Sequence, residues 1–304
     1  MKRFQPKKNR HRHNVFEGWY TRLVLAEGQG NLAIIMAYTT NREDPHAFIQ
    51  VFDGMQKSNR YVRFPLDAYR YDGHTVWIDT NHLAPDSLRI DIDEHVLDVS
   101  FSSIQTLERS AMGFLAKFPL QCYQEIIMLG GSFSGRITTP TIDGEHRGTL
   151  YMEKTFGRRF PKRWFWLQAN RFKGAALSMA GGHVPTLFHK PFGFFAIFQH
   201  GEQTHTFATY NRAKMNVTEH DDTVVFTLRR RRCRLTITAT KSAPTALVGP
   251  ADKGAMTLPV FETLNATVTV HLEENGTILY DGISPLGGFE WMMHSQSPNL
   301  TKET

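Results

Sequence analysis

Two stretches of the chain concentrate the side chains that could do chemistry. The first is Phe16-Glu17-Gly18-Trp19-Tyr20. The second runs Tyr151-Met152-Glu153-Lys154-Thr155-Phe156-Gly157, then Phe160-Pro161-Lys162-Arg163-Trp164-Phe165-Trp166-Leu167-Gln168-Ala169-Asn170-Arg171-Phe172. Successive side chains of a strand point to opposite faces. Residues 164–172, taken as a strand, put Trp164, Trp166, Gln168, Asn170 and Phe172 on one face and Phe165, Leu167, Ala169 and Arg171 on the other. The second face is mostly ordinary core. The first sets large aromatics beside two carboxamides, a lining suited to a ligand with an apolar body and a polar head. The same alternation places Glu17 on the face of Trp19, and Glu153 beside Tyr151. Glu17 and Glu153 are the candidate catalytic acids. Trp19, Tyr20, Tyr151, Trp164, Trp166, Gln168 and Asn170 are the candidate ligand contacts.

Other motifs fail on context. Gly28-Gln29-Gly30-Asn31-Leu32-Ala33 matches a dinucleotide fingerprint, but a helix must follow it to face the pyrophosphate. The residues that follow, Ile34 to Thr40, favour strand, so the glycines read as a hairpin turn. His11 and His13 lie on a basic arm without a third ligand nearby, and no metal site is expected. Arg229 to Arg232 with Arg234 fall between two alternating strands and read as a solvated hairpin end rather than a nucleic-acid patch. Gly130-Gly131-Ser132-Phe133-Ser134-Gly135 lacks a serine at the centre of any nucleophile-elbow frame.

The elements that must carry these residues are strands. Leu88, Ile90 and Ile92 alternate with Arg89 and Asp91; Val224, Phe226 and Leu228, then Leu235, Ile237 and Ala239, then Val268, Val270 and Leu272 repeat the pattern. Turn pairs such as Asp72-Gly73, Asp143-Gly144, His200-Gly201 and Asn275-Gly276 separate them. No capped helical period of 12 or more residues is present. The fold class is therefore all-β, with evenly spaced hairpins that suit barrels. Gly181 to Gly193 reads as a Gly/Pro-rich interruption of the later half. A length of 304 residues suggests two domains. These are placed at 16–148 and 149–304, after a basic tail at 1–15.

The chain carries 35 Lys and Arg against 29 Asp and Glu, a formal +6. Lys2, Arg3, Lys7, Lys8, Arg10 and Arg12 supply a charge of +6 by themselves, so the remainder is neutral. A nucleic-acid binder would carry its basic stripe on the folded surface, so no nucleic-acid partner is expected. The tail reads as a solvated arm, or as a contact to anionic lipid. The longest apolar runs, Leu32 to Tyr38 and Phe192 to Phe198, are far below the ~18 residues of a spanning helix. Cys122 and Cys233 stand in no metal or redox spacing, and no secretory signal follows the basic start. The expected location is the cytosol or the inner face of a membrane.

The two aromatic stretches together resemble the tocopherol cyclase family, whose members carry F-E-G-W-Y near the N-terminus and Y-x-E-K-x-x-G-x-x-F-P-x-x-W-x-W-x-Q-x-N-x-F mid-chain. Weaker echoes are His46-Ala47-Phe48-Ile49-Gln50-Val51, Phe207-Ala208-Thr209-Tyr210 and Gly288-Phe289-Glu290, so the resemblance runs from Phe16 to about Glu290. Thr155-Phe156 departs from the Asn-Trp usual in the family. The resemblance implies a pair of lipocalin-like β-barrels, a shape shared with carotenoid hydratases. It also implies closure of a prenylated quinol into a chromanol, an isomerisation without redox change.

That chemistry needs a neutral acid in an apolar pocket to protonate an alkene, and aromatic faces to stabilise the tertiary carbocation. Burial supplies the first by raising a carboxyl pKa; cation–π attraction of about 2 kcal/mol supplies the second. No cofactor or metal is demanded, and the implied partner is a hydrophobic isoprenoid-like small molecule. Glu153 could instead pair with a Lys or Arg, and Glu17 could satisfy backbone donors at a barrel mouth. Two other functions use the same cavity: a non-catalytic lipocalin-like lipid carrier, and a hydratase that adds water to an isoprenoid alkene.

Overall fold

Alternation in the sequence becomes strand along the chain. The computed structural model describes residues 2–7, 12–28, 30–183 and 192–294. Among these, strand Ser87–Ile92 buries Leu88, Ile90 and Ile92 and exposes Arg89 and Asp91. Val224, Phe226, Leu228, Leu235, Ile237 and Ala239 are all fully buried. The longest helical piece among the described residues is a five-residue 3-10 turn, Gly113–Lys117. Gly28 and Gly30 lie in the hairpin joining Phe16–Leu25 to Asn31–Thr39, and the arginines sit at the tip of the hairpin formed by Thr223–Arg230 and Cys233–Thr240. Of the expected Gly181–Gly193 interruption, residues 184–191 lie outside the described residues, as does His11.

The strands form two antiparallel sheets of 12 and 10 strands, each curled into a nearly closed barrel. In the first, Phe16–Leu25 pairs with Asn31–Thr39 on one side and with the long strand Asp143–Gly157 on the other. In the second, Trp164–Phe172 pairs with Ala175–His183 and Thr277–Met292, and the latter pairs with Met256–Glu274. The chain passes from one sheet to the other between Gly157 and Trp164. A boundary at Gly148 falls inside the strand Asp143–Gly157, which runs unbroken past that glycine and is buried from Leu150 to Lys154.

Each barrel is filled by its own apolar core, Leu23, Ile34, Leu97 and Phe133 among others in the first, Phe165, Leu167, Phe226 and Val268 in the second. The outward faces of Phe16–Leu25 and Asp143–Gly157 then pack on the outward faces of Trp164–Phe172, Met256–Glu274 and Thr277–Met292. Two further apolar clusters form at this seam, one around Tyr151, Trp166 and Phe195, the other around Phe52, Trp164 and Leu264. Burying each such aromatic contributes roughly 1.5–3 kcal/mol, which ties the barrels into one body.

The basic N-terminus is not a free tail over residues 2–7. Phe4 is buried in the first barrel's core, and its carbonyl accepts a hydrogen bond from Trp19 Nε1 at 2.9 Å. The Gln5 carbonyl accepts from Lys154 Nζ, and Arg3 donates to the Leu107 carbonyl. Charge counting missed this because a single aromatic among cations is enough to dock the segment once a barrel mouth is available. No described helix is long and apolar enough to cross a membrane.

Candidate active site

Between the barrels lies a cavity of about 480 Å³, walled by aromatics including Phe16, Phe48, Phe160, Trp164, Phe194 and Phe195. Three carboxyl groups reach this otherwise apolar space: Glu153, Glu262 and Glu290. They come from three strands whose outward faces form the seam, and the register explains their proximity. Glu153 stands opposite Tyr20, while Trp166, Glu290 and Glu262 stand side by side across three neighbouring strands.

Glu153 is 6% exposed. Its Oε2 accepts hydrogen bonds from Gln124 Nε2 at 2.6 Å, Tyr151 Oη at 2.5 Å and Trp166 Nε1 at 3.0 Å. All three donors are neutral, and no cation lies within ion-pair distance of Glu153 among the described residues. Burial raises its pKa above the ordinary value, against the opposing pull of those hydrogen bonds. All three donors go to Oε2 and none to Oε1.

Glu290 accepts from Trp164 Nε1, and Glu262 accepts from Tyr20 Oη at 2.6 Å. Burial pushes Glu290 well above its ordinary value, reinforced by the neighbouring Glu262; Glu262 is raised, again by burial, to about 7. Glu262 Oε2 is buried without a hydrogen-bond partner. Next to them is the guanidinium of Arg22, fully buried, bonded to Gln168 Oε1 at 2.6 Å and to the carbonyls of Leu264 and Leu286. A bulge in Thr277–Met292 and a left-handed Leu286 (φ 56°) accompany that carbonyl contact. Gly288 completes the packing, since a Cβ there would lie 2.7 Å from the Trp166 ring.

Glu17 is elsewhere. It points into the first barrel, where Lys154 Nζ sits 3.2 Å away and both side chains are fully buried. Tyr38 Oη donates to it at 2.9 Å and the Lys7 backbone N–H at 2.9 Å. Burial pushes both members of the pair toward neutrality, and their mutual attraction opposes it. Glu17 is thus a structural ion-pair partner and a backbone acceptor at the barrel mouth, separated from the cavity by the barrel wall.

Of the other sequence candidates, Tyr20, Trp164 and Trp166 line the cavity with Glu153. Tyr151 lies behind it and reaches Glu153 and Ser178 through its hydroxyl. Trp19 belongs to the first barrel's core, stacked on Tyr69. Gln168 and Asn170 share the outward face of Trp166 but lie in the barrel–barrel contact, where Gln168 holds Arg22 and Asn170 donates to the Leu150 carbonyl. A bulge between Ala169 and Phe172 turns Phe172 away from that face into the second barrel's core. Glu262, Glu290 and Arg22 were not singled out from sequence. Only Glu290 carried a signal, in Gly288-Phe289-Glu290, and Arg22 follows Tyr20 at strand period. Among the described residues, no three His, Cys, Asp or Glu side chains gather as metal ligands.

Two outwardly joined barrels with an acid-lined aromatic cavity at their seam define the class. The chain belongs to the tocopherol cyclase-like family, whose model matches residues 93–291. It is 36% identical over 91 residues to the probable chloroplastic tocopherol cyclase of Oryza sativa subsp. japonica, and 34% identical over 91 residues to the chloroplastic tocopherol cyclase of Zea mays. Each match covers 27% of this chain and 19% of the relative, so it spans about a fifth of the curated protein's length. In fold, the chain is similar to CghA solved with Sch210972 (TM-score 0.59, 9% identity, 93% of this chain and 89% of that one). It is also similar to kievitone hydratase from Nectria haematococca (TM-score 0.55, 10% identity, 96% and 92%).

Proposed function

We propose that the protein is an acid-catalysed isomerase that closes a prenylated quinol, or a related isoprenoid bearing a ring hydroxyl, within the inter-barrel cavity. The observation that carries this reading is Glu153, a buried carboxyl lining the aromatic cavity, with three neutral donors on one oxygen and none on the other. The proton on Glu153 moves to the less substituted alkene carbon, forming a C–H bond and a tertiary carbocation. Trp166 and Trp164 present π faces and indole dipoles nearby, and the apolar walls exclude water that would otherwise capture the cation. The ring oxygen attacks the cation, a C–O bond forms and the hydroxyl proton passes to a carboxylate of the cavity. Substrate and product have the same composition, so the step needs no oxidant or reductant. The family and its chloroplastic cyclase relatives support this chemistry.

Incubation of the purified protein with a panel of prenylated 1,4-benzoquinols in D₂O tests the proposal. The expected product has a shifted retention time and one deuterium on the former alkene carbon, with no other mass change. A product heavier by the mass of water would assign hydration instead. Folded protein that turns over nothing in the panel, yet carries an unchanged lipid from its host, would make it a carrier.

A further inference from the structure

Charge balance in the seam points to a division of labour that the proposed reaction does not by itself require. Arg22 is fully buried, yet its polar partners are a carboxamide and two backbone carbonyls, none of which carries charge. A buried cation without counter-charge is costly, and guanidinium does not lose its proton in proteins. A neighbouring carboxyl is therefore the group to ionise first as pH rises, supplying the counter-charge. Glu262 is the group so placed. It lies two positions before Leu264, whose carbonyl Arg22 contacts. It also accepts from Tyr20, which lies two positions before Arg22 on the facing strand.

We propose that Glu262 is the proton acceptor of this cavity, held ionised by Arg22 and positioned by Tyr20, so that donor and acceptor are separate carboxyls and the ligand's hydroxyl docks on Glu262 Oε2. The proposal rests on reading the cavity as an acid-catalysed cyclase site. The unpartnered Oε2 is the second observation: Glu262 lines the cavity, and this buried acceptor has no donor until a ligand supplies one. Among the described residues, the titratable and charged groups that act on Glu262 fit this assignment. Tyr20 and Arg22 come from Phe16–Leu25, Glu153 from Asp143–Gly157 and Glu290 from Thr277–Met292. Glu290, directly opposite Glu262 in register, keeps its proton because a second carboxylate there would be repelled.

In the step itself, the ring O–H proton passes to Glu262 Oε2 as the oxygen lone pair attacks the carbocation. Glu153 ends as carboxylate and Glu262 as acid, and exchange of one proton with solvent at each restores both. Tyr20 does not touch the reacting bond; it is a positioning residue that fixes which Glu262 oxygen faces the ligand.

Two readouts on the full-length protein test this, and the first needs no ligand. Infrared difference spectra at pH 8 between wild type and Glu262→Gln should show loss of a carboxylate band, whereas Glu153→Gln and Glu290→Gln should each remove a protonated-carboxyl band. Tyr20→Phe, which keeps every buried charge, should shift titration of the Glu262 carboxylate band to higher pH; this carries the test if Glu262→Gln fails to fold. The second compares binding of a prenylated quinol with its O-methyl ether. Wild type should prefer the hydroxyl form about tenfold. Glu153→Gln should keep that preference while losing turnover. Glu262→Gln should lose it, because Tyr20 pins the amide oxygen and leaves –NH₂ facing the ligand. A protonated Glu262 at pH 8, an unchanged band titration in Tyr20→Phe, or loss of hydroxyl preference in Glu153→Gln rather than Glu262→Gln would overturn the proposal. Absence of turnover by wild type, with the infrared assignment intact, would count against the cyclase reading alone.

Discussion

Glu153 and Lys154 are consecutive in the chain and face opposite sides of the first barrel's wall. Lys154 turns inward to Glu17 at 3.2 Å, and Glu153 turns outward to the cavity, where its partners are all neutral. One step of strand alternation thus separates a structural ion pair from a candidate proton donor.

That separation makes Glu153→Gln informative. No ion pair is broken and the amide can still accept from Tyr151, so the melting temperature should stay near wild type. Turnover of a prenylated quinol should fall by about 10²–10⁴-fold, the usual loss for a general acid. A thermal melt and a single-turnover assay on the same preparation check it.

Glu17→Gln should behave in the opposite way. It leaves the Lys154 ammonium, fully buried, without its nearest counter-charge, at a cost of about 3–5 kcal/mol. Activity should fall only with the folded fraction. Adding Lys154→Met to the same chain should recover much of the stability, measured by denaturant midpoint.

Stability should depend on pH through the cavity carboxyls. Below the ordinary glutamate value of 4.5, folded and unfolded chains both hold these protons. As pH rises above it, the unfolded chain ionises first, because burial keeps the folded groups protonated. The unfolded state is then favoured, so stability falls with rising pH, up to about 1.4 kcal/mol per pH unit for each such group. For Glu262 the fall spans 4.5 to about 7 and levels off above it. For Glu290 it extends higher, and Glu290→Gln should flatten the decline between pH 5 and 8 in paired melts.

Gly288→Ala probes the wall behind the acid. Its Cβ would stand 2.7 Å from the Trp166 ring, so the indole must move and its N–H with it, off Glu153. A misplacement of that size should lower turnover by roughly 10–100-fold, with a stability loss of about 1–3 kcal/mol. A kcat effect much larger than the KM effect is the expected signature.

Phe4→Ala should cost about 3–5 kcal/mol, the usual loss for a buried phenylalanine. Replacing Lys2, a charged residue on the same arm and exposed, should change the melt little. Equal, small effects at both positions would show that the arm does not dock in solution.

The sequence by itself determined the strands, because period-2 burial is a local property: Leu88, Ile90 and Ile92 can share a face only in an extended chain. It also determined that Trp164, Trp166, Gln168 and Asn170 lie together, and that Glu153 stands among aromatics. It could not say what that face meets. Alternation distinguishes two sides of a strand without telling the lumen of a barrel from a seam between barrels. Here the lumens are filled by apolar side chains and the ligand-sized space lies outside both. For the same reason Glu17 and Glu153, equal as acids in aromatic stretches, were parted by the barrel wall. Glu262 and Arg22, 240 positions apart in number, met only through the docking of two sheets. Charge balance in a buried seam is a sum over strands distant in sequence, and only the tertiary structure brings those terms to one place.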